Sequence, residues 1–236
     1  MNRPADWRIV LGSRSPRRRE LLGRLVPESR LEIWPPREAE EAGFEGLTEL
    51  PQIQTRLLEI ATTKWHDVQQ QIDHPDRSRT WLLTADTMVV VPRSGRIEEQ
   101  AADGWQVLGQ PPTGDEAIPV LRDWFLNHYA GRRHRVMTGY CFSRSSATTP
   151  EIRQVGVTEV EMRPDLEQWF DWYIQTGEFV GKAGGYALQG AGELLVNSVS
   201  GSLSNVIGLP LALLADDLRR EGLMEHPARS FGTGVP

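Results

Sequence analysis

Apolar positions along the chain alternate between short continuous runs and stripes that recur every three or four residues. The runs at Trp7–Gly12, Trp81–Val91, Arg135–Ser143, Arg153–Met162 and Glu193–Val199 predict strands. The stripes over Pro51–Gln71, Gly114–His128, Pro164–Thr176 and Pro210–Glu221 predict helices, with Gly177 and Gly222 as stops. A further short helix is predicted to start at Pro16, because Ser15 is a good N-cap and proline suits the first helical position; Leu21, Leu22 and Leu25 would hold it to the sheet. Strands and helices interleaved in this order make an α/β protein. Leu166, Trp169, Phe170 and Tyr173 share one helix face and read as packing, not as a stacking platform for bases, and Trp124, Phe125 and Tyr129 read as core in preference to a dimer face. Pro35-Pro36 opens an acidic loop over Arg37–Glu45, His74–Ser78 is a second connection, and 225–236 reads as a disordered tail.

Composition changes the picture in three ways. At 236 residues and 39% hydrophobic content the chain can bury a sizeable core as one domain or two closely joined lobes. Net charge is −6, yet the first thirty residues carry eight arginines against three acids, a local asymmetry that suits a small anion better than long nucleic acid. Cys141 is the single cysteine, which excludes an internal disulfide and a cysteine-based zinc site and points to a cytoplasmic setting. No stretch approaches the 18 apolar residues of a membrane span, and no apolar signal core precedes the first strand.

Three segments carry candidate chemistry. In Val10–Leu25 the predicted strand ends at Gly12 and delivers Arg17, Arg18 and Arg19 onto the start of a helix. A basic triplet is ordinarily a solvated face. Here, however, the cations sit where a helix dipole disfavours them unless an anion arrives, so Ser13, Arg17, Arg18 and the free backbone N–H groups suit a phosphate, with Arg19 directed elsewhere. In Trp81–Val91, Asp86 interrupts an apolar strand; buried there it needs protonation, a cationic partner or a metal, unless it accepts backbone hydrogen bonds at a bulge. Thr87 adds a hydroxyl beside it. In Gly181–Gly190 several glycines surround Lys182 and Gln189, so backbone can approach a ligand closely; Tyr186 and Leu188 argue against a plain linker. Lys64 and Lys182 are the only lysines among 26 basic residues; Lys182 falls in the last of these segments and Lys64 in the run LLEIATTKW toward the end of a predicted helix.

Taken in order, SRSPRRRELL (13–22), LLEIATTKW (57–65), ADT (85–87), HRVMTGY (134–140), KAGGYALQG (182–190) and GSLSNVIGLPL (201–211) resemble the Maf family of nucleotide pyrophosphatases. The resemblance implies a single Maf/ITPase-like domain over 1–224: a mixed, strongly curved α/β sheet flanked by helices, with a deep cleft between two lobes. It also implies hydrolysis of a nucleoside triphosphate between its α- and β-phosphates with a divalent cation, Mg2+ or Mn2+, and allows a homodimer. Carried over by position, Asp86 matches the family's proton acceptor, and Ser13, Arg18, Lys64 and Lys182 match its phosphate-side groups. Arg17, Thr87 and Gln189 fall where the family discriminates bases and agree with its dTTP/UTP subgroup rather than its 7-methyl-GTP subgroup. Glu41, in the acidic loop, corresponds to a further carboxylate that would share the metal with Asp86.

The residue types fit that chemistry on their own terms. Attack on a phosphorus needs an in-line water, cations opposite the phosphate oxygens, and a proton acceptor. A free aspartate is a weak base for water, so Asp86 is either that acceptor for an activated water or a metal ligand. Gln189 offers both donor and acceptor to a pyrimidine edge. The chain departs from the family pattern at Gln110, where a lysine is usual, at Gly181, where an acid is usual, and at Leu203-Ser204-Asn205; Arg96 is one candidate to replace the missing charge. Those departures keep open a nucleotide-binding regulator of septum formation without turnover. An RNA-binding domain suits the acidic remainder of the chain poorly.

Overall fold

The longest apolar run, Thr80–Pro92, is the strand around which the other elements assemble. In the computed structural model, which describes residues 6–37, 43–93 and 104–224, seven strands form one mixed sheet: Arg8–Gly12 (β1), Leu31–Ile33 (β2), Thr80–Pro92 (β3), Trp105–Leu108 (β4), Arg133–Arg144 (β5), Ile152–Met162 (β6) and Val196–Ser200 (β7). Their order is β2-β1-β3-β5-β6-β7, with β4 paired to the far half of β3. β2, β1 and β3 run parallel, and the other pairings are antiparallel. Helices Pro16–Gly23 (α1), Leu50–Gln71 (α2), Ala117–Asp123 (α3), Leu166–Thr176 (α4), Leu203–Ile207 (α5) and Leu211–Arg220 (α6) flank it. The α/β class is the one that the sequence pattern predicts, and the mixed sheet flanked by helices is the one that the Maf resemblance implies. No described helix is long and apolar enough to cross a membrane.

β3 is paired along one edge by β5 from Trp81 to Val90. On its other edge β1 covers 80–84 and β4 covers 89–92, so no described strand pairs with Ala85–Met88 there. The sheet forks at that point. The cause is local: after Gly12 the Ser13 N–H turns back onto the Leu11 carbonyl (3.0 Å), and Ser15 caps α1, which takes the chain out of the sheet. Within an otherwise buried strand, Asp86 and Thr87 are the adjacent pair left partly exposed by the fork.

Strand alternation sends Leu82, Met88 and Val90 toward α2, where Leu57, Ala61, Trp65 and Val68 pack; Leu83 and Ala85 face α1 and α6 through Leu21, Leu22, Leu214 and Leu218. Asp86 and Thr87 therefore project to opposite faces of the sheet. Gly139, the β5 partner of Asp86, lets α2 lie close: a Cβ there would come within 2.8 Å of Leu57 Cγ.

Several boundaries differ from expectation. The helix predicted over Gly114–His128 is a 3-10 turn, then α3, then a π turn at Trp124–Tyr129 closed by Ala130 N–H to Phe125 O (2.9 Å). The wider turn lets Phe125 stack on Tyr173 (5.5 Å between centroids) while Tyr129 enters the core. Phe125, Tyr129, Phe170 and Tyr173 are fully buried, and Trp124 and Trp169 pack against them, as their spacing predicts. The strand predicted at Glu193 begins at Val196, because Ala191–Leu195 forms a 3-10 turn. β2, β4 and α5 are too short for a period to register. The tail 225–236 lies outside the described residues.

Gly139→Ala should therefore overpack the α2–sheet contact and lower stability by about 1–3 kcal/mol. A reduced urea midpoint at unchanged m-value is the expected result.

Candidate active site

The first wall of the site is the β1–α1 turn. Ser13 Oγ accepts from Ser15 N–H (3.2 Å) and from Arg18 Nη1 (3.4 Å), and Ser15 Oγ accepts from Arg18 N–H (3.4 Å). Arg18 also donates through Nε to the Gly208 carbonyl (2.9 Å) and through Nη2 to Thr87 Oγ1 (2.9 Å). Arg19 turns away and pairs with Glu28. Behind Thr87 the protons are ordered. Thr138 donates to the Asn205 carbonyl (2.9 Å), so Thr87 must donate to Thr138 (2.9 Å) while accepting from the guanidinium. Thr138 and Asn205 are fully buried, which fixes Arg18 from behind.

On the other face of β3, Lys64 Nζ donates to Asp86 Oδ1 at 2.8 Å, both side chains being less than one-fifth exposed. Of the alternatives open to an aspartate in an apolar strand, a cationic partner is thus present. Lys64 arrives because α2 is anchored three residues earlier by Ala61, whose carbonyl accepts from buried Thr84 (2.7 Å).

The third wall is the glycine-rich loop. Gly184 and Gly185 adopt φ of +71° and +73°, and a Cβ on Gly184 would meet Val89 Cγ2 at 2.5 Å. Gly184 N–H donates to the Gly109 carbonyl (2.8 Å), and Tyr129 of the π turn donates to the Gly184 carbonyl (2.9 Å). Tyr186 Oη lies 2.6 Å from His134 Nε2, deep in the core, where burial lowers the His134 pKa to about 3 and keeps the ring neutral. Burial and then the neighbouring Arg17 depress the Lys182 pKa, while Glu178 opposes both; burial likewise lowers Arg17, again against Glu178.

These walls enclose one cavity of about 450 Å³. Ser13, Arg17, Arg18, Lys64, Asp86, Thr87, Lys182 and Gln189 all line it, and Gln110 does too. Asp86 and Thr87 reach the same space from opposite faces because the sheet is forked between them. Glu41 and Arg96 lie outside the described residues. Among the described residues no group of three or more His, Cys, Asp or Glu comes together, and Asp86 is the one carboxylate on the cavity wall. A single carboxylate suits a cation that takes its remaining ligands from substrate oxygens and water, as Mg2+ does.

Sequence reasoning missed Glu178, Thr138 and Asn205. Glu178 accepts from Ala191 N–H (3.0 Å) and Gly192 N–H (2.8 Å), backbone partners that leave no side-chain signature. Thr138 and Asn205 stand inside motifs already singled out, but their partner Thr87 is distant in sequence.

A family model described as "Maf-like protein" matches residues 8–221. The chain belongs to this Maf-like family. Its curated relatives include the dTTP/UTP pyrophosphatase of Anaeromyxobacter dehalogenans, 39% identical over 216 residues, 91% of this chain and 94% of that one. Those of Deinococcus radiodurans (35% identity; 92% and 94% covered) and Thermococcus onnurineus (34%; 87% and 94%) carry the same name. Among solved structures, a HAM1 protein from Coxiella burnetii is 14% identical, with a TM-score of 0.42 over 91% of this chain and 99% of that one, a likeness too low to argue from. Every Maf motif read from the sequence lies inside the matched span.

The buried His134 makes stability depend on pH. Its folded pKa of about 3 lies below the ordinary 6.5, so its contribution is complete above 6.5 and falls as pH drops toward 3. Unfolding free energies from urea titrations should fall below pH 6.5 with a slope approaching about 1.4 kcal/mol per pH unit, and His134→Gln should flatten it.

Proposed function

We propose that this cleft hydrolyses the α–β phosphoanhydride of a pyrimidine nucleoside triphosphate, dTTP or UTP, to the monophosphate and pyrophosphate. The observation that carries the reading is the convergence of Arg17, Arg18, Lys64 and Lys182 with one carboxylate, Asp86, on a single cavity. The name shared by the curated relatives supports it.

The reaction asks for charge compensation and a proton acceptor, and the chain supplies both. Arg18, held by Ser13, Gly208 and Thr87, presents a fixed fork to phosphate oxygens; the α1 N-terminus adds backbone donors. Lys182 is a compact cation whose pKa is lowered by burial first and by neighbouring Arg17 second. A triphosphate would bring negative charge to both. Asp86 takes the proton of the attacking water, and Lys64 both neutralises its buried charge and fixes the carboxylate's orientation. A divalent cation held by Asp86 with phosphate oxygens would supply Lewis-acid stabilisation of charge on the α-phosphate and the leaving pyrophosphate. Gln189, at the exposed end of the glycine-rich loop, provides the amide that pairs with a uracil or thymine edge.

Pyrophosphate release from UTP, dTTP, CTP, ATP and GTP with Mg2+ or Mn2+ tests the reading. Asp86→Asn should lower kcat for UTP on the order of 10²–10⁴-fold while UTP still binds. Binding without release by the unaltered protein would favour the non-catalytic regulator instead. Gln189→Glu should reduce kcat/KM for UTP by about tenfold or more with little change in urea midpoint, because a carboxylate keeps the acceptor and loses the donor. Unchanged kcat/KM would remove Gln189 from base recognition.

A further inference from the structure

The glycine-rich loop carries a phosphate-side cation at one end and the base-reading amide at the other, yet the two ends are anchored differently. The Lys182 end is fixed by Lys182 N–H to Phe179 O (3.1 Å), Gly185 N–H to Lys182 O (3.0 Å), Gly184 N–H to Gly109 O (2.8 Å) and the Tyr129 hydroxyl. At the Gln189 end, the backbone N–H groups that follow Gln189–Gly190, those of Ala191 and Gly192, both go to one carboxylate, Glu178, at 3.0 and 2.8 Å.

Glu178 is itself well seated. Gly177 closes α4 in the left-handed conformation with φ of 67°, and Glu178 N–H donates to Thr176 Oγ1 (3.2 Å), whose hydroxyl donates to the Tyr173 carbonyl (2.7 Å). The turn it holds is tight on both sides. A Cβ on Gly190 would meet Glu178 Oε1 at 1.7 Å, and one on Gly192 would meet the Ala187 carbonyl at 2.3 Å. Backbone packed this closely on a carboxylate has one position while the two charge-assisted bonds persist.

We propose that Glu178 is a positioning residue for the cleft: by clamping the Ala191 and Gly192 N–H groups it holds Gln189 against the nucleobase, while the Lys182 half of the loop keeps its own anchors. The inference rests on the pyrimidine triphosphate reading above. Glu178 also faces the cationic wall, where it favours the charged forms of Arg17 and Lys182, so the same carboxylate links the two ends of the site.

Glu178→Gln is the informative change. It keeps size and one acceptor but turns an amide NH2 toward a backbone N–H, so one of the two bonds must break. The expected result is a loss of about tenfold or more in the UTP-over-GTP ratio of kcat/KM, with kcat for UTP within a few-fold and the urea midpoint little changed. Amide hydrogen exchange should speed up at Ala191 and Gly192 and stay slow at Gly184 and Gly185. Gly190→Ala, which keeps the charge but blocks its seat, should give the same pattern and serves where Glu178→Gln does not fold. An unchanged UTP preference with slow exchange at Ala191 and Gly192, or equal loss for every nucleotide, would overturn the proposal. Failure of the unaltered protein to release pyrophosphate from any triphosphate would overturn the functional reading alone, and the exchange pattern would still decide whether Glu178 holds the loop.

Discussion

The fork in the sheet at Ala85–Met88 is the constraint on which the site depends, because it lets one adjacent pair of residues serve both faces. In a fully paired strand Asp86 and Thr87 would be separated by the sheet itself. With β1 ending at Gly12 and β4 ending at Leu108 opposite Val89, no described strand fills the gap between them on that edge, and both side chains line the cavity there. Each member of the pair is then held by a cation from a different helix: Lys64 of α2 on Asp86, Arg18 of α1 on Thr87. Removing either partner of the mostly buried Lys64–Asp86 pair leaves a charge without compensation, which ties this part of the fold to the integrity of the site.

The electrostatic design is a surplus of positive charge along a half-open cleft. Arg17 and Lys182 both have pKa values lowered by burial, and Arg17 adds to the lowering at Lys182. Glu178 stands against both of them, and Asp86 is engaged by Lys64. A cavity arranged so favours an anion over a neutral ligand, while the chain as a whole carries a net charge of −6. Gln110, where the Maf resemblance implies a lysine, adds a neutral amide to the wall.

The glycine-rich loop shows how the core and the site are coupled. Its glycines permit the positive φ values and close approaches, but its place is set by residues that never reach the cleft: the π turn that delivers Tyr129, neutral His134 beneath Tyr186, and the Gly109 carbonyl. A loop with so little intrinsic stiffness is precise only because buried aromatic hydroxyls and backbone groups fix it from behind.

Local chemistry was legible in the sequence wherever a residue type conflicted with its surroundings. An aspartate in an apolar strand, arginines at a helix start and two lysines among 26 basic residues each announced themselves, because the cost of burying or misplacing charge is read without coordinates. The main strands and helices were legible for the same reason, their hydrophobic period being a local property. What only the tertiary structure decided were relations between distant segments and backbone partners. That Lys64 meets Asp86, that Thr138 and Asn205 order the protons behind Arg18, that Glu178 holds backbone N–H groups 13 and 14 residues away, and that the helix after Gly114 widens into a π turn all depend on packing across elements. Backbone N–H and carbonyl groups are identical at every position, so a sequence cannot mark which of them a side chain will find; only the folded geometry chooses.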